Sequence, residues 1–349
     1  MEKKKSIKIE LNKKYYYFAI ISLTALVIIM GFFSLLIGQY GFSISKTLAI
    51  LFNPSNHKEE FDTLKNIIVN IRLPRTAASI VIGAGLAVAG ATYQSVFRNT
   101  LVSQDVLGVS SGSCVGAALA IVIGASQIII QLFSFLFGII TVLLVFILSK
   151  LVKSERTISM ILSGMLIGGL MSSILSIIKY LANPITHLPE ITFWLMGDVS
   201  SISIQQFFPT GIVICICIVL ILIRKWNLNY FCYSDDEAKS LGVNIIFERA
   251  YFLITSTIIV AASISIAGTI GWIGLVMPHL ARLIVGTNNK KVIPISMLMG
   301  SMFLLVIDLM NRLISSAELP VSILTGILGT PLFVFCLIYN RYKKKGEIR

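Results

Sequence analysis

About ten stretches of this chain stay apolar over the roughly 20 residues that a helix needs to cross a bilayer, and this constrains the fold more than any motif. They lie near 16–38, 76–93, 107–125, 127–149, 157–181, 204–223, 250–267, 272–285, 293–313 and 321–340. Backbone N–H and C=O groups in hydrocarbon have no water to bond, so such segments must be helices. The expected fold is all-α, a polytopic membrane protein with one transmembrane domain over residues 1–349. The chain is 56% hydrophobic and 13% charged, with a mean hydropathy of +0.88; a soluble domain carries about 25% charged residues. The stretch after Ile270 is short and broken by Gly271, Gly274 and Pro278. That pattern predicts a half-helix or re-entrant piece, packed in protein or lining a cavity. The first apolar run is too long for a signal-peptide core and lacks a small-x-small cleavage site, so it reads as a retained span.

An even number of spans places both termini on one side. Of the 29 lysines and arginines, 22 fall in the N-tail (1–15), 94–106, 150–156, 224–249, 282–291 and the C-tail (341–349). The other seven are Lys46, Lys58, Lys65, Arg72, Arg75, Lys179 and Arg312. The positive-inside rule assigns the larger group, and both termini, to the cytoplasm. Arg72 and Arg75 are then outward-facing cations at the mouth of the second span, exceptions that need a reason. The net charge of +13 gathers into no basic face interleaved with aromatics, which argues against nucleic acid.

The chemistry that a sequence can advertise is missing. There is no G-x-x-x-x-G-K-[ST], no H-E-x-x-H and no G-x-S-x-G, so neither an ATP site nor catalysis is expected. His57, His187 and His279 are far apart, and the five cysteines follow neither disulfide nor zinc spacing. The run "GAGLAVAG" has no strand before it to make a dinucleotide turn. Its glycines, with Gly108/Gly112/Gly116 and Gly164/Gly168, read as points where helix backbones approach closely. Lys179, Asp308 and Arg312 lie near span ends, and no midplane carboxylate suggests an ion-driven carrier. If the chain moves a solute, another protein supplies the energy. The longest internal cytoplasmic loop, 224–249, offers a contact: Ser234 can cap a short helix whose first turn holds Asp235, Asp236 and Glu237. Ala238 and Leu241 would form its apolar edge, and Gly242 would end it. Such a helix is either simple loop packing or a lever for a partner.

Several segments in collinear order resemble the FecCD-type permeases of ABC importers for iron-siderophore, haem and vitamin B12. They are "RLPRTAASIVIGAGLAVAGATYQSVFRNTLVSQDVLGVSSGSCVGAALAI", "LPEITFWLMGDVS", "AGTIGWIGLVMPHLARLIVG" and "DLMNRLISSAELPVSILTGILGTPLFVF". The resemblance implies a type II importer fold like the vitamin B12 importer permease, ten helices per subunit and a homodimer with the path at its twofold interface. It also implies two cytoplasmic ABC ATPase subunits, which bind ATP and Mg, and an extracytoplasmic solute-binding protein. It places Ala238, Leu241, Gly242 and Val243 in the element that couples to the ATPase. It makes Arg72, Arg75 and Arg312 receptors for acidic residues of the binding protein, and it puts Asn99, Leu101 and Thr157 at a cytoplasmic gate. Here the family's Asn-Pro-Leu is replaced by Asn99-Thr100-Leu101, and the missing prolines predict a softer gate loop. Asp198 stands where small or polar residues are commoner and reads best as an exposed loop aspartate. The function expected is import of an iron chelate across the cytoplasmic membrane. Vitamin B12, haem and molybdate or tungstate are alternatives within the family, and an ion-coupled secondary transporter is a more distant one.

Overall fold

The computed structural model describes residues 13–38, 47, 58–152, 156–314 and 319–346. Most of the N-tail, Lys46 and the last three residues of the C-tail lie outside them. The helices, in chain order, are α1 (Lys13–Leu36), α2 (Lys58–Ile67), α3 (Leu73–Val96), α4 (Val109–Val122), α5 (Gln127–Leu151), α6 (Arg156–Leu181) and α7 (His187–Leu195). Then follow α8 (Ile204–Arg224), the short α9 (Asp235–Ser240), α10 (Ile245–Ala267), α11 (Ile273–Val285), α12 (Asn289–Ile314) and α13 (Val321–Gly346). No strand occurs among the described residues. A helix stands at each of the ten predicted spans.

Two boundaries differ from expectation. The second span was predicted to begin near residue 76, but α2, a π-helical turn at Ile68–Arg72 and α3 run on as one rod. Its apolar-rich part, Phe61–Val96, has 36 residues, about 54 Å at 1.5 Å per residue, and so overhangs a hydrocarbon core of about 30 Å. The polar sequence of α2 hid it from a reading by hydropathy. The π turn precedes Pro74, whose ring and missing N–H disturb the regular ladder. The second difference is at the C-terminus, where α13 continues through Gly346 and takes in most of the predicted tail.

Helices α3, α10 and α12 form the centre, with 83%, 72% and 61% of their apolar windows buried, whereas α1, α5, α6, α8 and α13 have 22–28% buried. Small residues make this possible. A Cβ on Gly83 would overlap the Gly300 carbonyl, one on Gly300 would overlap the Gly83 carbonyl, and one on Gly90 would overlap Gly274. Gly112 and Gly116 admit Phe133, Phe137 and Thr141 of α5, while Gly108 lies against Gly164 and Gly168 of α6. The glycines therefore serve helix packing, as their spacing predicts.

Helices α4 and α11, of 14 and 13 residues, are too short to cross alone. Each is preceded by irregular backbone, 97–108 and 268–272. Gln104 clasps these two pieces together: its Nε2 donates to the Ile270 carbonyl at 2.5 Å, and its Oε1 accepts from the Gly274 N–H at 3.1 Å. The broken segment foreseen after Ile270 is thus packed in protein, with Ile270 and Ile273 both buried.

The close approaches yield a paired prediction. Gly90→Ala would force α3 away from α11 and lower stability by about 1–3 kcal/mol. Gly169→Ala, at a position with nothing of this chain within 4 Å, would not lower it, since alanine is the better helix former. Thermal unfolding of both variants in detergent checks the contrast.

Candidate functional site

One end of the rod carries the arginines singled out by sequence. Arg72 closes the π turn, Arg75 lies in the first turn of α3, and Arg312 is near the end of α12. The structure brings all three together. Arg75 Nε donates to Asp308 Oδ1 at 2.5 Å, and Arg312 Nη2 donates to Asp308 Oδ2 at 2.5 Å. Arg72 Nη1 donates to the carbonyls of Leu35 and Leu36 at 2.9 and 2.8 Å, and Arg312 Nη1 to that of Ser34 at 2.8 Å. These are the last carbonyls of α1, which have no partner within their own helix and form the negative end of its dipole. Two guanidiniums therefore cap α1, while Asp308 ties α3 to α12.

The cluster is interior: Arg72, Arg75 and Arg312 are 3%, 4% and 6% exposed, and Asp308 is fully buried. The expectation of arginines held out to receive carboxylates does not describe this conformation. Their donors are turned inward because three helix ends meet there with orphan carbonyls and a buried carboxylate to satisfy. Sequence reasoning noted Asp308 only as a charge near a span end. Its spacing of four from Arg312 was the available signal, since residues so spaced share a helix face.

At the other end of the rod lies the predicted coupling element. Helix α9 forms as expected: the Ser234 hydroxyl accepts from the Glu237 N–H at 3.2 Å, and the Glu237 carboxylate accepts from the Ser234 N–H at 2.8 Å. Those bonds hold the Glu237 carboxyl below its usual range. Gly242, at φ +77°, closes the helix, with its N–H bonded to the Lys239 carbonyl and that of Val243 to the Ala238 carbonyl. The apolar edge differs from expectation. Ala238 is buried against the body, Val243 is half-buried, and Leu241 is 60% exposed because it follows the last helical residue and turns outward. Tyr233, Ile246 and Phe247, near it in the chain, are exposed as well.

Of the predicted gate residues, Asn99 and Leu101 share a turn in which Asn99 Oδ1 accepts from the Leu101 N–H at 2.9 Å. Thr157 is half-buried at the start of α6, and no hydrogen bond joins it to them among the described residues. The 97–108 segment is held by turns at Val102, Val106 and Gly108 and by the Gln104 clasp. Asp198 is half-buried in a turn, not an exposed aspartate. Burial would raise its pKa, but hydrogen bonds from Ser200 and Ser201 outweigh that and hold the carboxyl low.

The exposed side of α6 is unusual for a span. It presents Gly169, Ser172, Ser173 and Ser176 among larger apolar residues, and Ser172 bonds Ser111 of α4 at 3.3 Å. Its three serines lie midway along the helix, whereas the exposed polar residues of α5 and α8, Gln127, Lys150 and Gln205, lie at the helix ends; such a face suits water or a second protein chain.

The model of the FecCD transport family matches residues 26–339. The molybdate import system permease protein of Haemophilus influenzae is 37% identical, over 89% of this chain and 92% of its own length. A probable iron chelatin transport system permease protein of Helicobacter pylori is 35% identical, over 90% and 96%. A solved structure described as an ABC transporter of metal-chelate type in an inward-facing conformation superposes with a TM-score of 0.83 at 35% identity, covering 92% of this chain and 98% of that one.

The arginine cluster makes its own prediction. Asp308→Ala strips a buried carboxylate from two buried guanidiniums and would cost about 3–5 kcal/mol. Arg75→Glu, which sets a second carboxylate against Asp308, would be at least as damaging. Thermal unfolding in detergent measures both, and wild-type stability in either variant would refute the staple.

Proposed function

The chain belongs to the FecCD transport family and is a permease of an ABC importer; on that premise we propose that it carries an iron chelate inward as one half of a homodimer. The observation that carries a transport path is the serine-bearing exposed face of α6. In a dimer built on that face, the hydroxyls of both copies would line a shared aqueous route. Polarity without charge suits a bulky chelate that must pass without being held, so affinity would reside in an extracytoplasmic binding protein.

Energy would come from two cytoplasmic ATPase subunits seated against α9. The capped, closed form of that helix and the outward Leu241 and Gly242 support this reading, with Val243 beside them and Ala238 anchoring the helix from inside. Both termini and the 97–108 connection would then face the cytoplasm, with Asn99, Leu101 and Thr157 around the exit. The arginine end would face outward. There Arg72, Arg75 and Arg312 would serve docking by fixing the ends of α1, α3 and α12, not by gripping the binding protein's carboxylates themselves.

A second substrate reading, molybdate, is favoured by the 37% identity to the Haemophilus permease. Proteoliposomes holding the permease, its ATPase and its binding protein separate the two. ATP-dependent uptake of radiolabelled iron chelate, unaffected by excess molybdate, is the expected result. Uptake of molybdate instead would replace the substrate while keeping the mechanism. Uptake driven by an ion gradient with no ATPase would overturn both. In the same system, Leu241→Asp places a charge in the ATPase contact and would cut recovery of the ATPase with the permease about tenfold, the size of effect expected of an apolar anchor.

A further inference from the structure

One carboxylate near the α9 end holds together pieces that the coupling reading leaves separate. Asp235, the first residue of α9, accepts from Arg98 Nη2 at 3.1 Å through Oδ1. Both its oxygens also accept from Arg249 Nη2, at 2.9 and 3.0 Å. Arg249 lies in the first part of α10 and is 3% exposed. Its Nε and Nη1 have no hydrogen-bond partner, which leaves Asp235 as its hydrogen-bonded anion among the described residues. Arg98 donates a further short bond to the Tyr233 carbonyl, just before the α9 cap.

The backbone at Arg98 adds an independent observation. It sits one residue past the C-cap of α3 at φ +53°, in the left-handed region where glycine is the usual occupant. A large side chain held there costs backbone strain, and such strain persists where the surroundings over-determine it. What Arg98 gains is its pair of bonds to Tyr233 and Asp235. The next residues in the chain are Asn99, Thr100 and Leu101.

We propose that Asp235 is a positioning residue that ties α9 to the 97–108 connection through Arg98 and to α10 through Arg249, so that displacement of α9 is delivered to Asn99 and Leu101. Arg249 gives the node a fixed footing in the core, and Arg98 is the arm that reaches the connection. This rests on the reading of α9 as the ATPase contact. A purely stabilising role for the pair makes a different forecast, because stability and coupling then fall together.

The test uses the complex of permease, ATPase and binding protein in proteoliposomes, with substrate uptake and ATP hydrolysis measured side by side. Arg98→Gly removes the arm and relieves the backbone, so unfolding temperature and ATPase recovery should match wild type. Uptake per ATP hydrolysed should nonetheless fall about tenfold, equivalent to about 1.4 kcal/mol of lost coupling. Arg98→Lys, which keeps a cation at this position, should restore much of the ratio. Asp235→Asn should lower the ratio as Arg98→Gly does. Uptake per ATP within twofold of wild type in Arg98→Gly would overturn the proposal, whatever Asp235→Asn does to stability. Absence of ATP-driven uptake in the wild-type complex would instead overturn the coupling reading, and this proposal with it.

Discussion

Inside a bilayer every backbone polar group must find its partner in the protein, and this chain meets that demand where its helices are broken. Two of the apolar helices are too short to cross alone, and the irregular backbone ahead of each would be intolerable against lipid. Both pieces are drawn into the centre and joined by Gln104. The joint requires α3 to lie nearly in contact with the start of α11, which the absent side chains of Gly90 and Gly274 permit. Much else follows from that placement: α3 becomes the most buried helix, and α10 and α12 pack around it.

The two ends of the α3 rod solve similar electrostatic problems differently. At one end, guanidiniums satisfy the orphan carbonyls of α1 and share a carboxylate with no exposed surface. Breaking that arrangement leaves charge stranded in the interior, so this end is built to stay in place. At the other end, the Arg98–Asp235 pair is about one-third exposed on each side. Water competes for it, and such a pair contributes little stability by itself. An arrangement that holds geometry without holding it tightly suits a part that moves.

Hydropathy and charge made the fold legible, because lipid imposes a length on each span that soluble cores do not. The positions of ten apolar helices, eight of them long enough to cross a bilayer, the broken segment near Gly271 and the Ser234 cap could all be read in this way. The helical rod from 58 to 96 could not, since α2 is polar and the π turn has no composition of its own. The arginines were located, but their direction was misjudged. Charge counting tells which side of a membrane a residue occupies; whether its head points to water or into the protein depends on partners far away in sequence. Asp308 lies 233 positions from Arg75, and no local pattern links them. Gln104 was invisible for the same reason: a lone glutamine has no periodicity to betray a buried clasp.

The serines of α6 have a consequence for which solvent that face can meet. Ser173 and Ser176 donate to the carbonyls of Gly169 and Ser172, one turn back, at 3.0 and 2.9 Å. With its proton committed to its own helix, each hydroxyl shows hydrocarbon little unmet polarity. Hydrocarbon can therefore cover this face without leaving those two hydroxyl protons unbonded. When the face meets water, the same hydroxyls still have lone pairs to offer and can rotate their protons outward. The surface is amphibious, suited to hydrocarbon and to water by the same hydroxyls.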